Sequence, residues 1–331
     1  MPDETVRPWW RPRRRRIIAA AAVGSLLVGL VLWGQRDTSP VGHFVSAEAK
    51  DDFVTAYDDA MRRLPQPEVT RDIRTSHGMV RVYRFTGADD ATPPLVLIPG
   101  RSSSTPLWAD NLPSLLQHRS VYTIDMIGEA GMSIQDKPIA DDRDSAWWLH
   151  EVLTQLPEPK LHLLGLSIGG WTTANLLRHY PDKVASATLL DPVFTFGNMS
   201  LEAVVRSIPA SVRWLPKSWR DSFSSWTAGG ADIENTPEAR LIESGMQNYA
   251  LKLPGPSVIP QDSFTQMDVP VLAVIAGESP MHDSEEISAT AKDLLGQTNV
   301  KVYPEASHAI NGEYPKEIAA DVHKFAKHYD S

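Results

Sequence analysis

From residue 68 onward the chain alternates short apolar or β-branched runs with stretches whose apolar residues recur at helical spacing, and few folds satisfy that rhythm. The strand runs are EVTRDIRT (68–75), MVRVYRF (79–85), PLVLIPG (94–100), SVYTIDMI (120–127), LHLLGLS (161–167), SATLLDP (186–192), VPVLAVIAG (269–277) and VKVYPEA (300–306). Helical patterns near 107–118, 143–155, 169–179, 284–295 and 315–328 fall between the later ones. Apolar strands separated by helices specify an α/β fold: a mostly parallel eight-stranded sheet with helices on both faces. The first two runs, joined by Ser76-His77-Gly78, are predicted to form an antiparallel hairpin at the sheet edge. Residues 195–265 break the rhythm, with Trp214, Trp219, Trp226 and many Pro and Gly but no convincing strand. Such an insertion after the sixth strand is expected to be a helical cap over the strand ends.

The remaining organisation is set by charge and apolarity at the N-terminus. Residues 1–16 carry six Arg against Asp3 and Glu4, a basic tip on a chain whose net charge is −9. The acidic body argues against nucleic acid as a partner. Residues 17–34, IIAAAAVGSLLVGLVLWG, contain no charged side chain and at ~1.5 Å per residue reach roughly 27 Å, enough for a transmembrane helix. Trp9, Trp10 and Trp33 flank the run as interfacial anchors, and the Arg cluster predicts a cytoplasmic N-terminus with the body outside the cell membrane. The alternative is a cleaved signal, since Arg14-Arg15-Arg16-Ile17-Ile18 suggests a twin-arginine motif and would leave a secreted protein. Against cleavage, the one small-x-small site, Ala47-Glu48-Ala49, lies late. Residues 35–49 read as a linker, and 50–331 as one domain that opens with a short amphipathic helix carrying Phe53, Tyr57, Met61 and Leu64. Without Cys there is no disulfide, thiolate metal site or cysteine nucleophile.

Chemistry concentrates at Gly165-Leu166-Ser167-Ile168-Gly169-Gly170, where a strand run meets a helical pattern. A Ser on a tight strand-to-helix turn projects its hydroxyl above the sheet, and flanking glycines permit backbone approaches that a Cβ would block. The N–H of Ile168, opening the helix, then faces a developing oxyanion. A G-x-S-x-G pentapeptide alone is weak evidence, and its context strengthens it.

In that context the sequence resembles the α/β-hydrolase family, over roughly residues 68–329 and in order. The resemblance rests on the third strand ending in Pro99-Gly100-Arg101, an Asp125-x-x-Gly128-x-x-Gly131-x-Ser133 loop, the Ser167 turn as the family's nucleophile elbow, a cap, and a late histidine, His308, directly after the last strand. It implies a general base at His308 and a second oxyanion donor at the N–H of Arg101. Ser102-Ser103-Ser104 could add a hydroxyl there or be a polar loop. The family usually carries its acid after the seventh strand, but that turn reads Gly277-Glu278-Ser279-Pro280-Met281-His282-Asp283 and departs from the pattern. Three carboxylates remain open: Asp191, on the strand after the elbow, where a subset including the haloalkane dehalogenases places it; Asp283, if the loop curls back; and Glu278. A Ser at the elbow disfavours the Asp-nucleophile branches of the family.

The resemblance thus implies a carboxylesterase-like serine hydrolase cleaving an ester-type bond of a small, hydrophobic ester or acyl substrate. No cofactor or metal is expected, because neither a ligand cluster nor a nucleotide-binding glycine loop is present. A non-catalytic binding module with this fold, motivated by the missing acid after strand seven, and an acyltransferase remain as alternatives.

Overall fold

The computed structural model describes residues 37–213, 215–232 and 236–330. The basic tip and the 17–34 run therefore lie outside the described residues, and among those described no helix is long and apolar enough to cross a membrane. Two elements occupy what reads as linker: a two-residue strand β1 (His43–Phe44) and the start of α1 (Ala47–Met61), whose N-cap Ser46 accepts from the Ala49 N–H. Phe44 is held there by packing at a tilt on Phe53 and meeting Tyr249 edge-on.

The chain continues through β2 (Val69–Thr75), β3 (Gly78–Phe85), β4 (Leu95–Ile98), α2 (Leu112–Leu115), β5 (Val121–Ile124), β6 (Ile134–Gln135) and α3 (Asp142–Thr154). Then come β7 (Leu161–Leu166), α4 (Ile168–His179), β8 (Val184–Leu190), the cap helices α5 (Leu201–Ala210), α6 (Lys217–Thr227) and α7 (Pro237–Asn248), and β9 (Tyr249–Ala250). The last elements are α8 (Gln261–Thr265), β10 (Val271–Ala276), α9 (Ser284–Leu295), β11 (Val300–Tyr303), α10 (Ile310–Glu313) and α11 (Pro315–Ala326).

The main sheet has nine strands, in the order β11-β10-β8-β7-β4-β5-β3-β2 with β6 beside β3. It has nine strands rather than the eight expected, and it is mixed: β4, β5, β7, β8, β10 and β11 run parallel, while β2 and β3, the expected edge hairpin, and β6 join antiparallel. The ninth strand escapes a sequence reading because two residues show no period. β1 and β9 form a separate antiparallel pair within the cap region and its approach. The helix expected over 107–118 is also corrected. Pro113 cannot donate to a carbonyl four residues back, so a helix entering from 107 breaks; the chain makes a 3₁₀ turn at Thr105–Trp108 and restarts with Pro113 in the first turn of α2.

Both faces of the sheet are covered, and the central strands show why they read as continuous apolar runs. In β4, Val96 and Ile98 point to the layer formed by α3, α4 and α9, while Leu95 and Leu97 point to the layer of α1, α2 and α11; β10 alternates in the same way. α3 supplies Trp148, Leu149 and Val152 to the first layer, and α1 supplies Phe53, Tyr57 and Ala60 to the second. This clamps β7 and β8 from both sides, fixing their carboxyl ends.

Candidate active site

β7 and β8 pair in register up to Leu166 opposite Leu190, so the next residue of each strand, Ser167 and Asp191, emerges side by side at the carboxyl edge. Both leave the strand through unusual backbone: Ser167 has φ +54° and Asp191 φ +38°. Each conformation costs about 1–3 kcal/mol and persists only where surrounding structure enforces it. Of four non-glycine residues with positive φ among those described, three (Ser102, Ser167, Asp191) lie at this edge, so backbone strain is concentrated here. The enforcement at Ser167 is visible on either side. A Cβ on Gly165 would stand 2.3 Å from the Gly169 carbonyl, and one on Gly169 would stand 2.2 Å from the Ile98 carbonyl, so α4 can dock against β4 and β7 only through glycines. The N–H of Ser167 donates to the Leu190 carbonyl at 2.9 Å, and that of Asp191 to the Val274 carbonyl at 2.7 Å.

His308 enters from the loop after β11. Its Nε2 lies 2.9 Å from Ser167 Oγ and its Nδ1 lies 2.5 Å from Asp191 Oδ2. An ionised carboxylate can only accept, so Nδ1 carries the proton and Nε2 presents its lone pair to the Ser167 hydroxyl. Asp191 is fully buried. Burial alone would raise its carboxyl pKa, but the imidazoles of His282 and His308 against its two oxygens outweigh that and hold it well below the usual carboxylate range. The backbone of His308 is fixed from the cap, its N–H donating to the Thr227 carbonyl at 3.1 Å.

The other two candidate acids stand elsewhere. Asp283 is exposed and serves as the N-cap of α9, its Oδ1 accepting from the N–H groups of Glu285 and Glu286 at 3.1 Å each. Glu278 is exposed too, and its N–H donates to the Ala306 carbonyl.

The loop after β4 completes the edge. Gly100 lies so near Ser167 that a Cβ there would be 3.6 Å from Ser167 Cβ, and Arg101 follows it. Among the described residues neither the N–H of Arg101 nor that of Ile168 has a partner within the protein, so both are free to bind an oxygen. The serine run is structural: Ser103 Oγ donates to the Gly100 carbonyl, and the N–H of Ser102 donates to Glu129 Oε2. Glu129 is buried with Arg101 3.5 Å away, and burial pushes its carboxyl up against the opposing pull of Arg101 and the Ser102 N–H. Glu129 belongs to the loop that begins at Asp125, itself buried and accepting from the N–H groups of Thr105 and Met132 and from the Tyr57 hydroxyl.

A small cavity of about 30 Å³ opens beside these groups, lined by Arg101, Glu129 and Ile168 and walled by Met126, Trp148 and Trp171. The cap closes it with Leu253, Pro254 and Pro256, and Trp171 Nε1 donates to the Ser257 carbonyl at 2.7 Å. The walls are mostly apolar, with Ser145 and Thr172 among them and Arg101 and Glu129 at one end. Among the described residues no group of His, Cys, Asp or Glu is arranged as a metal site. Two contributors have no sequence signal: His282, whose Nε2 lies 3.0 Å from Asp191 Oδ1, and Thr227, which acts through its carbonyl.

A family model described as alpha/beta hydrolase fold matches residues 93–315. The chain belongs to that family. Among relatives of this α/β-hydrolase-fold chain is the Bacillus subtilis (strain 168) protein named Uncharacterized carboxylesterase nap, 24% identical over 280 residues that cover 82% of this chain and 91% of that one. Carboxylesterase YbfK of the same organism is 24% identical over 295 residues, covering 85% of this chain and 96% of its own. The crystal structure of naproxen esterase (carboxylesterase NP) from Bacillus subtilis superposes with TM-score 0.76 at 22% identity, over 85% of this chain and 99% of that one. The chain is thus a carboxylesterase-like α/β hydrolase.

Proposed function

We propose that the protein hydrolyses carboxylic esters by two-step acyl transfer on Ser167. The observation that carries this reading is the unbroken relay from Ser167 Oγ through His308 to a buried, ionised Asp191. Ser167 attacks the ester carbonyl as His308 Nε2 takes its proton; the proton then passes to the departing alkoxide, and water, activated by the same imidazole, releases the acid. Asp191 keeps the imidazole in the reactive tautomer and stabilises its charge. The free N–H groups of Ile168 and Arg101 take the oxyanion. The mostly apolar lining of the small cavity beside Ile168 and the similarity to carboxylesterases support esters with apolar groups as substrates. We also place the catalytic body at the outer face of a membrane, tethered through residues 17–34, a reading that rests on the basic tip and apolar run of the sequence alone.

The test is a p-nitrophenyl ester series of graded acyl length with fluorophosphonate labelling. The wild type should release acid and label at Ser167, while Ser167→Ala should not label and should lose on the order of 10⁶ in kcat. Turnover that survives in Ser167→Ala would end the assignment.

A further inference from the structure

The turn after β10 is where the resemblance leads one to expect the acid. It carries a histidine instead, and that histidine faces the acid. The His282 side chain is 2% exposed, and its Nε2 stands 3.0 Å from Asp191 Oδ1, on the opposite side of the carboxylate from His308. Its orientation is imposed by the backbone around it. Ser200 Oγ donates to the Pro280 carbonyl, the Ser200 N–H donates to the Met281 carbonyl, and Ser284 Oγ donates to the Ala276 carbonyl, while Asp283 starts α9. The segment is therefore pinned on both sides of position 282, and the imidazole is directed into the protein.

A buried imidazole is costly unless something uses it. Neither nitrogen of His282 completes a well-directed hydrogen bond within the protein, although Nε2 is within reach of Oδ1. Contacts of this kind in resting sites are often misaligned and tighten as charge develops. The rest of Asp191 is already committed: Oδ1 also accepts from the Ala276 N–H at 3.1 Å, and Oδ2 takes His308. The titratable groups that face the carboxylate are His308 from the loop after β11 and His282 from the loop after β10.

We propose that His282 is a positioning residue for the reaction: its Nε2–H, directed at Asp191 Oδ1, fixes the orientation of the carboxylate that aligns His308. The inference rests on the Ser167, His308 and Asp191 reading above. It explains how the acid can be carried on β8 while the turn after β10 still reaches it: the turn supplies the donor rather than the carboxylate. A carboxylate short of one donor pulls harder on the His308 proton, so the imidazolium becomes harder to deprotonate.

The experiment compares His282→Leu and His282→Gln, the latter keeping a donor near the place of Nε2, in wild-type and Asp191→Asn backgrounds, with ester hydrolysis followed across pH. Expected is a His282→Leu enzyme that unfolds cooperatively, loses roughly 10- to 100-fold in kcat with little change in KM, and has the acid limb of its kcat profile moved to higher pH by about half a unit or more. His282→Gln should recover most of the loss, and His282→Leu should cost almost nothing further once Asp191 is Asn. Wild-type kcat and pH profile in His282→Leu, or a loss that persists in full in the Asp191→Asn background, would overturn the inference. If His282→Leu does not fold, His282→Gln decides: kcat within several-fold of wild type supports the role, and a loss as deep as that of Asp191→Asn overturns it. An inactive wild type, or activity surviving in Ser167→Ala, would instead sink the underlying reading.

Discussion

β7 and β8 bury all but one of their residues, whereas α5 in the cap leaves Leu201, Val204, Val205 and Ile208 between 40% and 78% exposed. The two regions are held by different means. The strands are locked by a parallel ladder and by side chains on both faces, so Ser167 and Asp191 are positioned by register. The cap is a chain of short helices packed mainly on one side, and it shapes the cavity through loop residues such as Leu253 and Pro254. On the proposed reading, chemistry falls to the rigid edge and substrate shape to the more loosely held cover.

The largest effect should come from the rigid edge. Asp191→Asn is expected to lower kcat by about 10⁴, while Asp283→Asn, which alters only the cap of α9, should leave kcat unchanged and cost at most about 1 kcal/mol in denaturant unfolding. Equal losses in the two variants would show that position along β8 is not what matters. In the same core, Leu164→Ala, at a fully buried site on β7, should cost about 2–5 kcal/mol of stability.

The opposite end of β7 supplies a pH test. His162 is buried, its Nδ1 2.8 Å from Ser186 Oγ and its Nε2 3.0 Å from Asp330 Oδ1. Burial first, and Arg119 beside it, lower its pKa to about 4, against the pull of Asp330. The unfolded chain therefore binds a proton that the folded one refuses, so stability is intact above about pH 6.5 and falls by about 3 kcal/mol as pH drops toward 4. Urea unfolding at a series of pH values should show that slope, and His162→Gln should flatten it. The smallest effect belongs to the cap: Leu201→Ser should change stability by no more than about 0.5 kcal/mol, and a loss comparable to that of Leu164→Ala would mean that the exposed face of α5 is covered by something.

The sheet was legible in the sequence because buried parallel strands write themselves as apolar runs long enough to see, as in VPVLAVIAG. β1, β6 and β9 were not, since two residues carry no periodicity and their pairing is decided by distant partners. The split of the 107–118 segment was readable in principle from Pro113, whose missing N–H outweighs the apolar spacing. At the site, Ser167 and His308 announce themselves by standing at strand ends, and they lie 2.9 Å apart. Which carboxylate meets His308 depends on whether the turn after β10 curls back or starts a helix, and Asp283 settles that locally by capping α9. His282 was hidden for a similar reason: its inward direction depends in part on Ser200, which lies some eighty residues earlier in the chain and pins the Pro280 carbonyl.

The hydrogen bond from the His308 N–H to the Thr227 carbonyl moors the proposed base to the last residue of α6. Any displacement of α6 would slacken that mooring, and the imidazole would regain its working pose only when the helix returned. Turnover would then be throttled from α6 without a single change to the strands beneath.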